Sequence, residues 1–257
     1  MACRSWVINT PFTMRLFFII FIVVTITEAM SQVGNSAAAD SSQYLPEENK
    51  FAHLICKLPC ELTFTGGRPQ ALKVQANDYI LKNIEFGVRA GVLKLKLKGG
   101  LFRFLHRKWL NDEVLVFISN PSLSTIEMTG PGVINVFNIK ADNISCKING
   151  NGTLQLKSQS RQLTAIVNGS GKIKLIGTTQ KSSLHIEGTG IIDATEFLAD
   201  TIHSAISGTG QIITKPAEWM DLRTQQGGHL ILKSNDFPLP ALINGQGIIT
   251  REKEEER

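Results

Sequence analysis

The second half of the chain is paced by glycine. Six Gly-x-Gly pairs stand at Gly130-Pro131-Gly132, Gly150-Asn151-Gly152, Gly169-Ser170-Gly171, Gly188-Thr189-Gly190, Gly208-Thr209-Gly210 and Gly245-Gln246-Gly247. A degenerate seventh is Gln226-Gly227-Gly228, and the steps between pairs are 18 to 20 residues. A fixed period in this range is the mark of a solenoid. Around each pair the residues at −4, −2 and +4 are mostly apolar and share one parity, as in Ile126, Met128 and Ile134 or Leu184, Ile186 and Ile192. That is the period-two pattern of a strand with one buried face. Both glycines fall on the inward parity, where the chain must turn a corner with close backbone approach.

The intervening parity points outward and is polar and nearly uncharged: Asn149, Asn151, Asn168, Ser170, Thr189 and Thr209 lie along this edge. One coil cannot bury its own apolar stripe, but stacked coils make a continuous core. Parallel crossovers are almost always right-handed. The expectation is an all-β chain: a right-handed parallel β-solenoid of about seven coils over residues 121–250, on the order of 30 Å long at 4.8 Å per coil. The alternative is a β-sandwich with glycine turns, whose turns rarely hold one phase over seven repeats. A helical reading fails, because no 3.6-residue period appears and β-branched residues are dense.

The N-terminus reads as a targeting segment. Arg4 and Arg15 precede an apolar run, Leu16 to Ile26. It is short for a bilayer span but suits a signal-peptide core. Cleavage after Ser31 gives a signal peptide over 1–31. Met14 is a second candidate start, and an uncleaved anchor is the competing reading. Residues 32–50, rich in Ser, Ala, Asn and Gln, read as a disordered linker. Residues 51–250 form a single domain, and the charged tail 251–257 guards the last coil against edge pairing. With a formal charge of +5 that is spread out, nucleic acid is not an expected partner, and no nucleic-acid-binding signature appears.

Cys56 and Cys60 stand four residues apart. An exported chain could oxidise them, but the loop is tight, so thiols and disulfide both stay open. Cys146 falls on the inward ladder and reads as a small core residue.

Within 51–120 the stretches LTFTGG, ALKV, GVLKLKLKGG and EVLVFIS alternate and are punctuated by glycine, as antiparallel or irregular strands do. Phe51-Ala52-His53-Leu54-Ile55, Leu62 to Gly67, Leu72 to Ala76, Gly91 to Leu95 and Val114 to Ser119, followed by the run of Gly-x-Gly coils, resemble the head GIN domain family of adhesin heads over residues 50–250. Its members are mostly bacterial envelope or secreted proteins. The resemblance implies a surface protein and carries over no catalytic residue.

Long β-solenoids also host polysaccharide lyases and hydrolases, which need paired carboxylates on adjacent coils. In the stacked register Glu187 neighbours Asn168 and Ser207, Asp193 neighbours Lys174 and Ile213, and His185 neighbours Ile166 and Ala205. The register of Glu196, Asp200, Glu218 and Asp221 is not fixed by the repeat. No metal, cofactor or phosphate motif is present. The segment Lys94 to Trp109 mixes basic and aromatic residues, with Lys94, Lys96, Lys98, Arg103, Arg107 and Lys108 as candidate contacts to anionic lipid or glycan. Its competing reading is an amphipathic strand with the lysines outward, then a hairpin loop.

The sequence thus reads as an exported, non-enzymatic envelope or surface protein with an adhesin-like binding domain, in the periplasm or outside the cell. Alternatives are a periplasmic structural or lipid- and glycan-binding scaffold and, behind it, a polysaccharide-active enzyme. An envelope glycan, an anionic lipid or a host surface are the candidate partners.

Overall fold

A computed structural model describes residues 39–43, 50–99, 113–215, 217–233, 241–245 and 247–252. The signal peptide, most of the linker, Arg103, Arg107, Lys108 and most of the charged tail lie outside the described residues.

The coils follow the glycine period. Strands β9 (Val133–Gly150), β10 (Thr153–Gly169), β11 (Lys172–Gly188) and β12 (Ile191–Gly208) each run from one Gly-x-Gly corner to the next. Each pairs in parallel with the following one, glycine over glycine: Gly150, Gly169, Gly188 and Gly208 are successive partners. In β9 the buried positions are Ile134 and Val136, then Ile139, then Ile144, Cys146 and Ile148. The parity slips on either side of Ile139, so the strand bends between a first arm, ending at Val136, and a second arm, starting at Ile144, with Ile139 buried between them. At the bend Asn138 takes a positive φ of 59°. The later coils break there into separate strands: β13 (Gln211–Thr214) with β14 (Trp219–Gln225), then β15 (His229–Lys233) with β16 (Ala241–Gly245). A last strand, β17 (Ile248–Glu252), pairs with β15.

This makes about six turns rather than seven. Seven glycine corners enclose six intervals, so the corners, not the coils, number seven.

The two glycines of a pair do different jobs. A Cβ on the second would enter the core: on Gly171 it would meet Ile148 Cγ2, and on Gly190 it would meet Val167 Cγ1 and, at 2.8 Å, Gly171 O. A Cβ on the first would run along the stacking axis instead. On Gly188, at φ +117°, it would lie 2.7 Å from Gly169 O. The inward assignment therefore holds for the second glycine. The first is set by its left-handed backbone and by the coil beneath it.

The N-terminal part is mixed rather than antiparallel or irregular. Here β2 (His53–Lys57) pairs in parallel with β6 (Val92–Leu97) and β8 (Thr125–Thr129). Likewise β3 (Glu61–Gly66) pairs in parallel with β7 (Leu115–Asn120) and the first arm of β9. These strands extend the stack. Among the described residues antiparallel pairing is confined to β4 (Ala71–Ala76) against β7, β5 (Ile84–Arg89) against β6, and β1 (Ala39–Gln43) against β4. Strand β1 falls inside the stretch expected to be linker. Helix α1 (Asp78–Asn83) joins β4 to β5, capped by Asn77, whose side chain accepts from Ile80 N.

The link from β2 to β3 is itself a coil corner. The register pairs Cys56 with Met128 and Leu62 with Ile134. Leu58-Pro59-Cys60 therefore occupies the level of Gly130-Pro131-Gly132. Val133 N donates to Cys60 O at 2.9 Å, as Thr153 N donates to Gly132 O and Lys172 N to Gly152 O in the coils that follow.

Candidate functional site

Two residues of the polar edge, Asn149 and Asn168, form a hydrogen-bonded ladder. Asn168 Nδ2 donates to Asn149 Oδ1 at 3.0 Å, and Asn149 Nδ2 donates to Glu127 Oε1 at 3.1 Å. Asn ladders of this kind form because stacked coils place equal side chains about one strand spacing apart. At the corner tips Asn151, Ser170, Thr189 and Thr209 are exposed. Their backbones are tied to the coil below: Ser170 N donates to Gly150 O and Thr189 N to Gly169 O.

The basic segment begins as the amphipathic strand that its alternation predicts. Leu93, Leu95 and Leu97 are buried, Lys94 is exposed, and Lys96 lies 3.1 Å from Glu85 across the β5–β6 hairpin. Lys98 Nζ donates to Lys82 O at 2.8 Å. Beside this hairpin runs a groove of about 330 Å³, lined by Glu85, Phe86, Val88, Arg89, Lys94 and Lys96. Alternation turns Glu85, Arg89, Lys94 and Lys96 to one face of the hairpin and the half-buried Phe86 and Val88 to the other, where they pack against the core. Arg89 and Lys94 give the groove exposed positive charge.

Several of the described acids pair with bases. Lys174 Nζ lies 2.6 Å from Glu196 Oε1, Arg161 Nε 3.3 Å from Asp142 Oδ1, and Lys233 pairs with Glu252. Asp193 stands between Lys174 and Ile213 and accepts from Thr195 Oγ1 at 2.8 Å. Glu187 has Asn168 and Ser207 as register partners. Among the described residues no group of three or more His, Cys, Asp or Glu is placed to hold a metal ion.

One cluster went unread in the sequence. Register brings Asp221 beside His203 and Trp219 beside Thr201. Asp221 Oδ2 lies 3.7 Å from His203 Nδ1 and 3.4 Å from Arg223 Nε, and the Trp219 ring sits 5.0 Å from that of His203. The repeat could not place it, because the step between partners is 20 residues from Ile192 to Ile212 but 18 from His203 to Asp221. His185 is held below the ordinary histidine range, first by burial of the ring and then by the charge of nearby His203.

Cys56, Cys60 and Cys146 are buried thiols. Cys56 Sγ and Cys60 Sγ stand 3.7 Å apart. Their hydrogen bond lowers the Cys56 thiol and, with burial, raises that of Cys60. Cys146 sits between Ile126 and Ala165 on the inward ladder, as expected, and burial pushes it up to about 12.

Residues 50–235 match the family described as "Putative auto-transporter adhesin, head GIN domain". No curated protein matches the chain. Among solved structures, a "putative adhesin" from Bacteroides fragilis aligns at TM-score 0.72 and 21% identity, over 86% of this chain and 98% of its own. A "putative lipid binding protein" from Parabacteroides distasonis aligns at TM-score 0.63 and 17% identity, with the same coverage. A "putative adhesin" from Parabacteroides merdae aligns at TM-score 0.62 and 16% identity, again over 86% and 98%. These likenesses establish a shared fold.

Proposed function

The chain belongs to the head GIN domain family, and on that footing we propose that it is an exported, non-enzymatic, adhesin-like binding domain of the bacterial envelope, and that it binds anionic lipid headgroups through its basic end. The observation that carries this reading is the groove beside β5 and β6. Lys94 and Arg89 stand exposed on it. A headgroup phosphate would meet these two cations. The description of one structural neighbour as lipid binding points the same way. The polar edge is the weaker candidate, because its Asn149 and Asn168 amides already donate within the ladder. That closed ladder favours the second reading, a periplasmic scaffold whose surface is structural.

The test is co-sedimentation with phosphatidylglycerol and with phosphatidylcholine vesicles at low and physiological salt. Screening shortens from roughly 30 Å at 0.01 M to 8 Å at 0.15 M. Selective binding to the anionic vesicles should weaken over that range and be lost in Arg89→Ser/Lys94→Ser. Binding that ignores salt, or that survives the substitutions, would overturn the assignment. The non-enzymatic part is checked by incubation with acidic and neutral polysaccharides. Release of reducing ends that Asp193→Asn or Asp200→Asn abolishes would make the chain an enzyme.

A further inference from the structure

We propose that Cys56 and Cys60 are a disulfide site, and that the bond staples the one described coil corner built as Leu-Pro-Cys. In an extended strand, residues four apart lie about 13 Å from each other. Here the chain turns at Leu58-Pro59, and the two sulfurs approach to 3.7 Å. Both flanks of the turn are fixed in the stack. Cys56 is in register with Leu95 on one side and Met128 on the other. Cys60 O accepts from Val133 N, and Glu61 N donates to Val114 O. A disulfide needs an S–S separation of about 2.05 Å, so each sulfur moves by less than about 1 Å. No third thiol competes among the described residues, since Cys146 points into the core between Ile126 and Ala165.

The other corners use glycine to turn. This one turns with Pro59, whose φ is fixed, and with two facing thiols. Closing them makes a ring of five residues at the level where the neighbouring coil carries Gly130 and Gly132.

The chemistry is thiol–disulfide exchange with an oxidant of the disulfide class. One thiolate of the pair attacks one sulfur of the oxidant, the oxidant's S–S bond breaks with loss of one thiolate, and a mixed disulfide forms. The second thiolate of the pair then attacks the sulfur of the first cysteine and expels the oxidant's other thiolate. One S–S bond forms in the chain and one is lost in the oxidant, which departs as two thiols with the two protons and two electrons of the pair. In the cell this rests on export to an oxidising compartment, but the chemistry can be tested without it.

The full chain, purified reduced, is equilibrated in glutathione buffers of increasing oxidised fraction, acid-quenched, unfolded and alkylated. Peptide mass mapping should then show Cys56 and Cys60 joined, lighter by two hydrogens and without alkyl groups, while Cys146 is alkylated. The oxidised chain should unfold at higher urea than the reduced chain. Full alkylation of both residues at every ratio, or stable glutathione on Cys60 of the unsubstituted chain, would overturn the site. Equal urea midpoints would overturn the stapling role. Cys56→Ser supplies the reference in which Cys60 carries glutathione or alkyl. A chain that fails to be exported leaves all these results unchanged, so the two readings fail separately.

Discussion

Asn168 and Asn149 are register partners on successive coils, and the amide of the first donates to the amide oxygen of the second at 3.0 Å. The link continues to Glu127. The edge therefore stabilises the stack. Asn149→Ala should cost more than Asn168→Ala, since Asn149 serves two bonds, each worth about 1 kcal/mol. The double variant should lose less than the sum of the singles. Urea unfolding of the three chains measures this. Strict additivity would show that the ladder is not coupled.

The corners are steric, and the first glycines are graded. Gly188→Val and Gly208→Val should each destabilise by several kcal/mol, because a side chain at φ near +118° meets the carbonyl of the coil below. Gly130→Ala should cost only about 1–2 kcal/mol of backbone strain, because a Cβ there has no atom within 4 Å. Thr189→Ser and Thr209→Ser should change little. Equal losses at Gly130 and Gly188 in matched melts would contradict the stacking argument.

At the bend, Gly177 and Phe197 are partners. The missing side chain at Gly177 brings the backbone against Ser158 O and leaves the column to the buried Phe197 ring. Phe197→Ala should cost about 3–5 kcal/mol through the cavity it leaves. Gly177→Ala should cost comparably from the opposite cause, collision. Thermal unfolding of each separates this bend from a tolerant surface turn, where both changes would be mild.

His185 should make stability depend on pH. Its folded value lies below the unfolded value of about 6.5, so the unfolded chain binds the extra proton. Stability from this group is then complete above the unfolded value and is lost as pH falls below it. Ser183, 3.3 Å away, and His203 are the polar neighbours that bear on it. Urea midpoints measured from about pH 8 to pH 5 should fall less steeply for His185→Gln than for the unsubstituted chain. Parallel slopes would contradict the shift.

The repeat made much of this legible. The neighbours of Glu187, Asp193 and His185 follow directly from adding one period to each number, and the structure pairs them so. Where the period stops, the sequence falls silent. Leu58-Pro59-Cys60 carries no glycine, so its place in the corner column appears only through the partners Met128 and Ile134, more than 70 positions away. Ala39–Gln43, ADSSQ, has no apolar alternation; its partner β4 makes it a strand. The lysines of β6 were legible as an outward face, but the groove beside them depends on the antiparallel β5, which no repeat announces.

Strands β2 and β3 lie between strands made later: β2 between β6 and β8, β3 between β7 and β9. A chain emerging from the ribosome delivers these two before either of their neighbours exists. Strand β2 waits for its first partner until residues 92–96 and β3 until residues 115–120. The flanks of β2 are complete only at residue 128 and those of β3 at residue 137, an interval in which a nascent chain needs a chaperone. The same weave means that a fragment beginning at Pro121 would leave β8 without β2 and the first arm of β9 without β3. Cut there, the glycine-paced half would end in an open strand edge where the intact chain has a covered one.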